Sequence, residues 1–354
     1  MRNFHPSFRL DNRSFESVGR LTAYVEENYP GHLVFLRQWF DDSPFITLQT
    51  SGSTGKPKSI VFPKEKLEKS ARRTASFFGV PEASSVLMLL SPGFVAGKMM
   101  WVRALTLGWH LDIFFESAGS MQKNYDFSAM VPLQAERMAG ELHRFSKLIL
   151  GGAPLSPALE KKLNRLDNEI YLTYGMTETL THVAVRPLTG KALNRLDGYL
   201  SGELPAKFYR TLPGVIVSVE EDNTLIIRDG ELDTEVRTND VAEVVDARHF
   251  VWKGRKDWVI NSGGIKIHPE TVERKLAPYI NRAFFVAGLP DKKWGEKLVL
   301  IVEGNEVKGL LDKVRNVPDL DYYEKPKAIY FLASFERSSG GKILRNENLR
   351  RLMF

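Results

Sequence analysis

A loop rich in glycine, hydroxyl groups and lysine lies near the start of the chain, at Leu48–Lys58. Gly52 and Gly55 allow turn conformations in which backbone N–H groups point towards an anion. Donors suited to a polyphosphate surround these glycines; they belong to Thr50, Ser51, Ser53, Thr54, Lys56 and Lys58. Composition alone leaves a second interpretation open, namely a solvated turn that binds nothing.

The elements on either side of the loop indicate which kind of phosphate site it can form. The apolar residues 45–48 and 60–62 predict two short strands, so the loop joins strand to strand. A Walker loop instead leads into a helix. It also needs a glycine five places before its Gly-Lys pair, where this chain has Thr50. We therefore exclude a Walker-type nucleoside triphosphatase.

Two further polar motifs each follow a predicted strand. In Gly151-Gly152-Ala153 the small residues let a flat ring lie against the backbone. In the second motif, Tyr174 and Gly175 are followed by Thr177 and Glu178. The tyrosine suits stacking on a base, the threonine can donate to a phosphate, and the glutamate can hold a divalent cation that bridges phosphates.

The last third of the chain carries four more candidate motifs. Asp240 follows a strand and suits the two hydroxyls of a ribose, a bidentate acceptor role. The others are Gly254-Arg255-Lys256-Asp257, Ser262-Gly263-Gly264 and Gly340-Gly341-Lys342. Each of these motifs alone is more often a turn than a site, whereas their combination and order are specific.

Composition excludes several classes of protein. The chain has 354 residues, which suits about two to three domains. Its net charge of +6 comes from 49 Lys and Arg scattered among 43 acidic residues, so no nucleic-acid face is expected. With no cysteine, disulfides and thiolate metal sites are excluded, and any thioester chemistry must use the thiol of a cofactor. No apolar run reaches the length of a signal-peptide core or a membrane span, so the expected location is the cytoplasm.

The pattern of elements predicts an α/β fold in two domains. Strands alternate with helices from about 45 to 172, which predicts mixed, mostly parallel sheets covered by helices. Ligands of such sheets bind at the carboxyl ends of the strands. Short alternating strands over 214–245 predict a barrel-like β segment. With a boundary at Asp257, residues 1–256 form the large domain and residues 257–354 a small, mobile α+β domain.

With these motifs in this order, the chain resembles the adenylate-forming superfamily of acyl-CoA synthetases, adenylation domains and luciferases. The resemblance extends from about Thr47 to the C-terminus. It implies ATP-dependent adenylation of a carboxylic acid and then formation of a CoA thioester, with release of AMP and pyrophosphate. The implied ligands are ATP, Mg²⁺, coenzyme A and a small carboxylic acid. In that family the small C-terminal domain rotates between the two half-reactions.

The resemblance also implies a role for each motif. The loop residues Thr50, Ser51, Gly52, Ser53, Thr54, Gly55 and Lys56 correspond to the cover of the β- and γ-phosphates. The adenine pocket corresponds to Gly151, Gly152, Ala153, Tyr174 and Gly175. Thr177 corresponds to the contact with the α-phosphate, and Glu178 to the Mg²⁺ ligand.

The remaining roles fall in the last third of the chain. Asp240 corresponds to the ribose-binding aspartate, although Asn239 stands where a glycine is usual. The other correspondences are Arg255 near the ribose and phosphate, Asp257 at the hinge, Ser262, Gly263 and Gly264 along the pantetheine tunnel, and Lys342 bridging carboxylate and phosphate.

The substrate acid is inferred from two segments. The chain is short for the superfamily, with only 49 residues before Thr50, and the o-succinylbenzoate–CoA ligases of menaquinone biosynthesis are among its short members. The segments 91–101 and 181–186 resemble that group. Lys98 is the candidate counter-charge for the carboxylate that does not react, Gly97 leaves room for the ring, and Phe94 stands where many members have histidine. His182 is the fourth candidate for this pocket, against the alternative of a packed histidine.

Three alternatives to this ligase stay open at this point. The chain could be another aryl- or acyl-CoA ligase, or a stand-alone adenylation enzyme that loads a carrier protein. It could also be a non-catalytic relative that binds nucleotide. Self-association is left open too.

Overall fold

The structure is a computed structural model that describes residues 2–49, 58–114, 121, 123–196, 208–338 and 342–352. The strands are β1 (Arg9–Leu10), β2 (Phe45–Gln49), β3 (Ser59–Pro63), β4 (Ser85–Met88), β5 (His110–Ile113), β6 (Tyr125–Met130), β7 (Phe145–Leu150), β8 (Glu169–Gly175), β9 (His182–Pro187), β10 (Tyr209–Thr211), β11 (Val215–Val219), β12 (Thr224–Asp229), β13 (Thr234–Asp246), β14 (His249–Arg255), β15 (Ile260–Ser262), β16 (Ile265–Ile267), β17 (Phe284–Asp291), β18 (Gly295–Glu303) and β19 (Ala328–Leu332). The α-helices are α1 (Val18–Asn28), α2 (Pro30–Phe40), α3 (Lys64–Phe78), α4 (Val95–Leu107), α5 (Pro132–Arg137), α6 (Pro157–Leu163), α7 (Gly190–Arg195), α8 (Pro269–Leu276), α9 (Leu310–Arg315) and α10 (Arg345–Arg350).

The chain divides into two compact units. The first comprises Met1–Leu155, Lys162–Ile216 and Arg228–Val236. Its strands follow one another in the order β1-β5-β4-β6-β7-β8-β9-β10. Pairing is parallel from β1 to β8 and antiparallel from β8 to β10. A mixed α/β fold with a large, mostly parallel sheet was the prediction, and the structure agrees with it.

Two helices show how the sequence determines burial in this unit. The amphipathic pattern of residues 64–78 predicts a helix with these bounds, and the structure has it as α3, which ends at Gly79 in the left-handed conformation with φ +58°. Such a C-terminal cap favours glycine because a side chain is strained there. The apolar residues 97–107 predict a second, buried helix, and the structure has it as α4, which starts two residues earlier. Because it is apolar on nearly every side, most of α4 is buried and it packs against α3.

The segment before residue 45 forms two helices that the sequence analysis did not predict. Leu21 and Val25 of α1 and Trp39 of α2 are buried, and the two helices pack against each other. Their apolar positions fall on one face of each helix, the pattern of a half-buried helix. The short strand β1 pairs with β5 at the edge of the sheet.

The strand–loop–strand arrangement predicted around the opening motif is confirmed by β2 and β3. These strands pair antiparallel, from Phe45 opposite Pro63 to Gln49 opposite Ser59. The motif residues Thr50, Ser51, Gly52, Ser53, Thr54, Gly55 and Lys56 lie outside the described residues. Their phosphate-binding role stays a prediction.

The second unit comprises Ser156–Lys161, Val217–Ile227 and Arg237–Phe354. Strands β11 to β14 are neighbours in the order β14-β13-β12-β11, and another sheet has the order β16-β15-β18-β17 with β19 beside β18. A core of Val272, Leu276, Leu298, Leu300 and Val302 holds α8 on this sheet. The α+β pattern predicted after residue 257 therefore agrees with the elements found there.

The domain boundary predicted between residues 256 and 257 falls inside this second unit. The structure shows a single conformation. The boundary at Asp257 and the mobility of the last domain therefore stay predictions. In the part of the chain that the structure describes, no helix is both long enough and apolar enough to cross a membrane.

Candidate active site

The Gly151-Gly152-Ala153 segment is held at the carboxyl edge of the parallel strands. The amide of Gly151 donates to the Met130 carbonyl at 3.2 Å, at the end of the neighbouring β6. The Thr173 hydroxyl donates to the Leu150 carbonyl at 2.9 Å and ties the ends of β7 and β8 together. A Cβ at Gly151 would lie 2.3 Å from that hydroxyl oxygen. Gly151 and Gly152 thus present bare backbone, and Gly152 is exposed, which fits contact with a planar base.

The segment that carries Thr177 and Glu178 is a tight turn at the end of β8. The amide of Met176 donates to the Thr179 hydroxyl at 3.0 Å, and this hydroxyl donates in turn to the Thr181 carbonyl at 2.8 Å. Leu180 has φ +64° and ψ −48°, and the Thr181 amide donates across it to the Thr179 carbonyl at 2.7 Å. This is a strained γ-turn, and such strain is concentrated at functional sites.

The turn places both predicted ligand groups at the same sheet edge as Gly151 and Gly152, which follow β7. Thr177 is half-buried and Glu178 is exposed, while the ring of Tyr174 lies 5.8 Å from that of Tyr209. An exposed carboxylate at a strand end is the type of oxygen ligand that Mg²⁺ takes in nucleotide sites. The residues present therefore fit a nucleotide and its metal ion.

Gly175→Ala is expected to lower the adenylation rate by about 10²-fold, because small displacements of groups around reacting atoms have effects of that size. A Cβ at this bulge would lie 2.2 Å from the Thr181 carbonyl oxygen and 2.6 Å from the His182 Cα, so the turn must shift. Pyrophosphate release measures the effect. Gly140→Ala is the control, since a Cβ there meets nothing within 4 Å. A Gly175→Ala enzyme with the wild-type rate would contradict this account.

The predicted acid pocket begins at the N-terminus of α4. Phe94 is its N-cap residue and is 38% exposed. A Cβ at Gly97 would lie 2.0 Å from the Ser91 carbonyl oxygen, so glycine is required for α4 to approach this backbone. Lys98 is half-buried, and this burial lowers its pKa. The roles of all three in binding substrate stay predictions.

His182 is a packed, neutral side chain. It is 5% exposed, its ring lies 5.8 Å from that of Phe78, and its Nδ1 lies 3.2 Å from the Thr181 hydroxyl oxygen. Burial, reinforced by Arg103 and Arg73, holds its pKa well below the usual value. The imidazole therefore adds no positive charge to the pocket.

Arg103 is a buried cation that the sequence analysis missed. It is 2% exposed, its Nη2 donates to the Thr181 hydroxyl at 3.2 Å, and its Nη1 lies 3.7 Å from the Met100 sulfur. Its Nε has no hydrogen-bond partner among the described residues. Burial lowers its pKa to about 10, which still leaves it charged at neutral pH. The only signal in the sequence was a second charge, after Lys98, in an otherwise apolar helix.

In the second unit, four predicted site residues come together. Asp240 and Arg255 are partners in the β13–β14 ladder, with Arg255 Nε 3.8 Å from Asp240 Oδ1. Arg255 Nη2 also donates to Asp257 at 2.9 Å. Burial and the nearby Arg255 lower the pKa of Lys342, while the nearby Asp240 raises it. An ammonium, a guanidinium and a buried carboxylate thus lie together, although the chain separates Lys342 from Asp240 by about 100 residues.

The backbone on both sides of residues 339–341 holds Lys342 in place. The Ser338 amide donates to the Lys342 carbonyl at 2.8 Å, and the Lys342 amide donates to the Ser338 hydroxyl at 3.2 Å. Gly340 and Gly341 lie outside the described residues.

An aromatic and basic cluster lies against the predicted pantetheine segment Ser262-Gly263-Gly264. The Gly263 amide donates to the Trp294 carbonyl at 2.8 Å, and a Cβ at Gly263 would lie 2.8 Å from the indole. The ammonium of Lys293 lies 5.0 Å from the centre of this ring and that of Lys327 5.6 Å from it. Tyr323 packs edge-on against the indole at 6.3 Å. The sequence analysis missed this cluster, because Trp294 and Tyr323 are 29 positions apart.

The family of the chain follows from a comparison with known proteins. Residues 37–231, more than half of the chain, match the family described as AMP-binding enzyme. The chain belongs to the AMP-binding enzyme family. This confirms the resemblance stated from the motifs.

Named relatives and solved structures of this AMP-binding family extend the comparison. The chain is 27% identical to a 2-succinylbenzoate–CoA ligase of Lactococcus lactis, over 87% of this chain and 71% of that protein. A solved protein from Dyadobacter fermentans, described as acyl-CoA synthetase (AMP-forming)/AMP-acid ligase II-like, is 33% identical with a TM-score of 0.57, covering 92% of this chain and 95% of its own. The O-succinylbenzoate coenzyme A synthetase (MenE) of Bacillus subtilis, solved with ATP and magnesium ion, has a TM-score of 0.72 at 19% identity, covering 85% and 69%. The last likeness shows the adenylate-forming fold.

Proposed function

We propose that this AMP-binding enzyme is an o-succinylbenzoate–CoA ligase that forms the acyl-adenylate and then the CoA thioester. The observation that carries the proposal is the grouping of Lys342 and Arg255 with the buried Asp240, because this is the charge pattern that joining two anions requires. The Lactococcus lactis relative supports the choice of acid. We place the enzyme in the cytoplasm, where ATP and CoA are available.

In the first half-reaction a carboxylate oxygen of the acid attacks the α-phosphorus of ATP. The new O–P bond replaces the bond to pyrophosphate, and negative charge collects on the phosphate oxygens. The Lys342 ammonium and the Arg255 guanidinium stabilise that charge in a site that excludes water, where preorganised cations have their largest effect. Asp240 accepts hydrogen bonds from the ribose hydroxyls. Mg²⁺, held by Glu178, would neutralise phosphate charge when bound.

In the second half-reaction a thiol attacks the acyl carbon and AMP leaves. The chain has no cysteine, so the thiol comes from another molecule, which we propose to be CoA. A C–S bond forms, the C–O bond to AMP breaks, and the thiol proton is released. Since the reacting carbon is now the electrophile, Lys342 is no longer needed beside it. We propose that the segment after the hinge residue Asp257 moves to present Ser262, Gly263 and Gly264 instead.

We place the nucleotide end of CoA on the aromatic and basic cluster of the second unit. Trp294 offers a stacking surface for adenine, and Lys293 and Lys327 offer positive charge for the phosphates of CoA. Gly263 lies against the indole of Trp294. The pantetheine arm of a CoA bound at this cluster would therefore start beside the predicted tunnel segment. Substitutions in the cluster should therefore affect the second half-reaction alone.

Trp294→Ala is expected to raise the KM for CoA about tenfold, since base stacking on an aromatic ring is worth roughly 1–3 kcal/mol. Pyrophosphate release in the absence of CoA should stay at the wild-type rate. Steady-state kinetics with CoA as the varied substrate measure the effect. The control is Val307→Ala, another apolar side chain in the second unit that is 37% exposed. An equal loss in both half-reactions would contradict the assignment.

The carboxylate of o-succinylbenzoate that does not react needs a counter-charge. The sequence offered Lys98, and the structure adds Arg103. We favour Arg103 because it is buried behind the turn that carries Glu178, and its guanidinium reaches Thr181 at the foot of that turn. A buried cation distinguishes a dicarboxylate from a monocarboxylate more strongly than a half-exposed lysine, because its charge is less screened.

A panel of acids in a pyrophosphate-release assay tests the proposed function. The expected result is the highest kcat/KM with o-succinylbenzoate, followed by thioester formation with free CoA. No turnover with that acid but turnover with another would support a different aryl- or acyl-CoA ligase. Adenylation with a carrier-protein thiol as the only acceptor would support an adenylation enzyme. Binding of ATP without pyrophosphate release would support a non-catalytic relative.

A further inference from the structure

The first turn of α8 is fastened to the end of β14. The chain leaves β14 at Arg255, forms the hairpin of β15 and β16, and returns as α8. The Thr271 hydroxyl donates to the Lys253 carbonyl at 3.2 Å. Beside it the Glu270 carboxyl lies against Gly254. These contacts close a loop that contains Asp257, the predicted hinge.

Glu270 occupies a space that exists only because residue 254 is glycine. A Cβ at Gly254, where φ is +152°, would lie 2.3 Å from Glu270 Oε2. The Glu270 side chain is 9% exposed. Its Oε2 has no hydrogen-bond partner among the residues that the structure describes. A buried carboxyl with an unpaired oxygen is costly, and such a group is unusual in a purely structural contact.

Glu270 also contacts the segment that carries Lys342. Arg345 Nη2 lies 3.9 Å from Glu270 Oε1 and 2.8 Å from Glu273 Oε2. The same arginine donates to the Val286 carbonyl at 3.3 Å and so is anchored to β17. Because Arg345 follows Lys342 by three residues, the cluster of Glu270, Glu273 and Arg345 connects the end of β14 to the start of α10.

We propose that Glu270 is a positioning residue that, with Thr271, latches α8 to β14 and holds Lys342 beside Asp240 and Arg255 during adenylation. The latch must open before the segment after Asp257 can move for the thioester step. This inference rests on the proposed function, since it needs two half-reactions with different arrangements. Glu270 itself contacts neither substrate.

The equilibrium between the closed and the open latch should depend on pH. Burial, reinforced by the nearby Glu273, raises the pKa of Glu270 to about 7, and Arg345 and the backbone amide of Arg255 limit this shift. The two basic side chains of β14 beside the latch have other partners, since Lys253 pairs with Glu243 at 2.6 Å and Arg255 with Asp257 at 2.9 Å. A carboxyl freed into water returns towards its ordinary, lower pKa. The closed latch therefore binds the proton more tightly, is favoured below about pH 7, and is lost as the pH rises through that value.

Measurement of the two half-reactions separately tests the latch. Glu270→Ala is expected to lower the rate of pyrophosphate release about tenfold and to leave thioester formation from supplied acyl-adenylate unchanged or faster. Glu270→Gln keeps the shape of the side chain but cannot ionise. The ratio of the pyrophosphate-release rate to the thioester-formation rate, which should change near pH 7 in the parent enzyme, should then no longer depend on pH there. The control is Glu306→Ala, an exposed carboxylate of the same unit. Equal losses in both half-reactions, or a pH dependence that persists in Glu270→Gln, would overturn the proposal.

A distance measurement tests the latch without using activity. Because the chain has no cysteine, the exposed residues Glu221 and Lys308 can be replaced by cysteine and spin-labelled as the only such pair. We expect one main distance in the parent protein below pH 6. In Glu270→Ala at least about a third of the molecules should show a second distance between the two labels. An unchanged single distance would refute the latch, whereas wild-type failure to turn over any acid would refute only the proposed function.

Discussion

Lys342→Ala is expected to lower the rate of acyl-adenylate formation by about 10²–10³-fold, the usual loss when one preorganised charge contact is removed from a transition state. The negative charge on the phosphate oxygens is largest as the carboxylate attacks, and the Lys342 ammonium lies with Arg255 and Asp240 where the nucleotide is expected. Thioester formation from supplied acyl-adenylate should remain within about threefold of the wild type, because no second anion has to approach the phosphate. Pyrophosphate release and thioester yield measure the two steps.

Two controls make this result specific. Lys313→Ala removes an exposed lysine of α9 in the same unit and should leave both half-reactions unchanged. Lys342→Arg keeps the charge but changes its shape and reach, so it should recover only part of the adenylation rate. A Lys342→Ala enzyme that loses both half-reactions equally would mean that the lysine supports the fold or a shared step. The proposed division of labour between Lys342 and the segment 262–264 would then be wrong.

The sequence predicted the parts of this site that depend on local chemistry. Gly151 and Glu178 follow apolar runs that read as strands, and parallel strands bring their carboxyl ends to one edge. The bounds of α3 could be read from its amphipathic pattern and from Gly79 at its end. In each case one short window holds all the necessary information, which is why α3 was predicted to the residue.

Burial and long-range contacts could not be read in this way. Nothing within the sequence of α4 distinguishes a charge that faces the interior from one that faces water, so Lys98 was chosen and Arg103 overlooked. The contact of Glu270 with Gly254 depends on where a hairpin returns the chain. The helices α1 and α2 contain no chemical motif, and only the apolar periodicity of residues 18–40 marks them in the sequence.

The choice between the two candidate cations gives the last prediction. Arg103→Met is expected to lower kcat/KM for o-succinylbenzoate about 100-fold and to leave an aromatic monocarboxylate such as benzoate within about threefold. Loss of a buried charge from a charge pair costs roughly 2–5 kcal/mol, and about 2.7 kcal/mol corresponds to 100-fold. Only the dicarboxylate forms that pair, so the ratio of the two kcat/KM values is the measurement that separates substrate recognition from a general defect.

The matched variants decide what the loss means. Methionine has a volume close to that of arginine, and an apolar replacement of a buried charge is often tolerated when it leaves no unpaired partner. Among the described residues, Arg103→Met deprives the Thr181 hydroxyl and the Met100 sulfur of a donor. Arg103→Lys retains the charge without the planar fork and should give an intermediate ratio. Lys98→Met should change the ratio less than threefold. The reverse order, with the larger loss in Lys98→Met, would assign the second carboxylate to Lys98 and leave Arg103 as a structural charge.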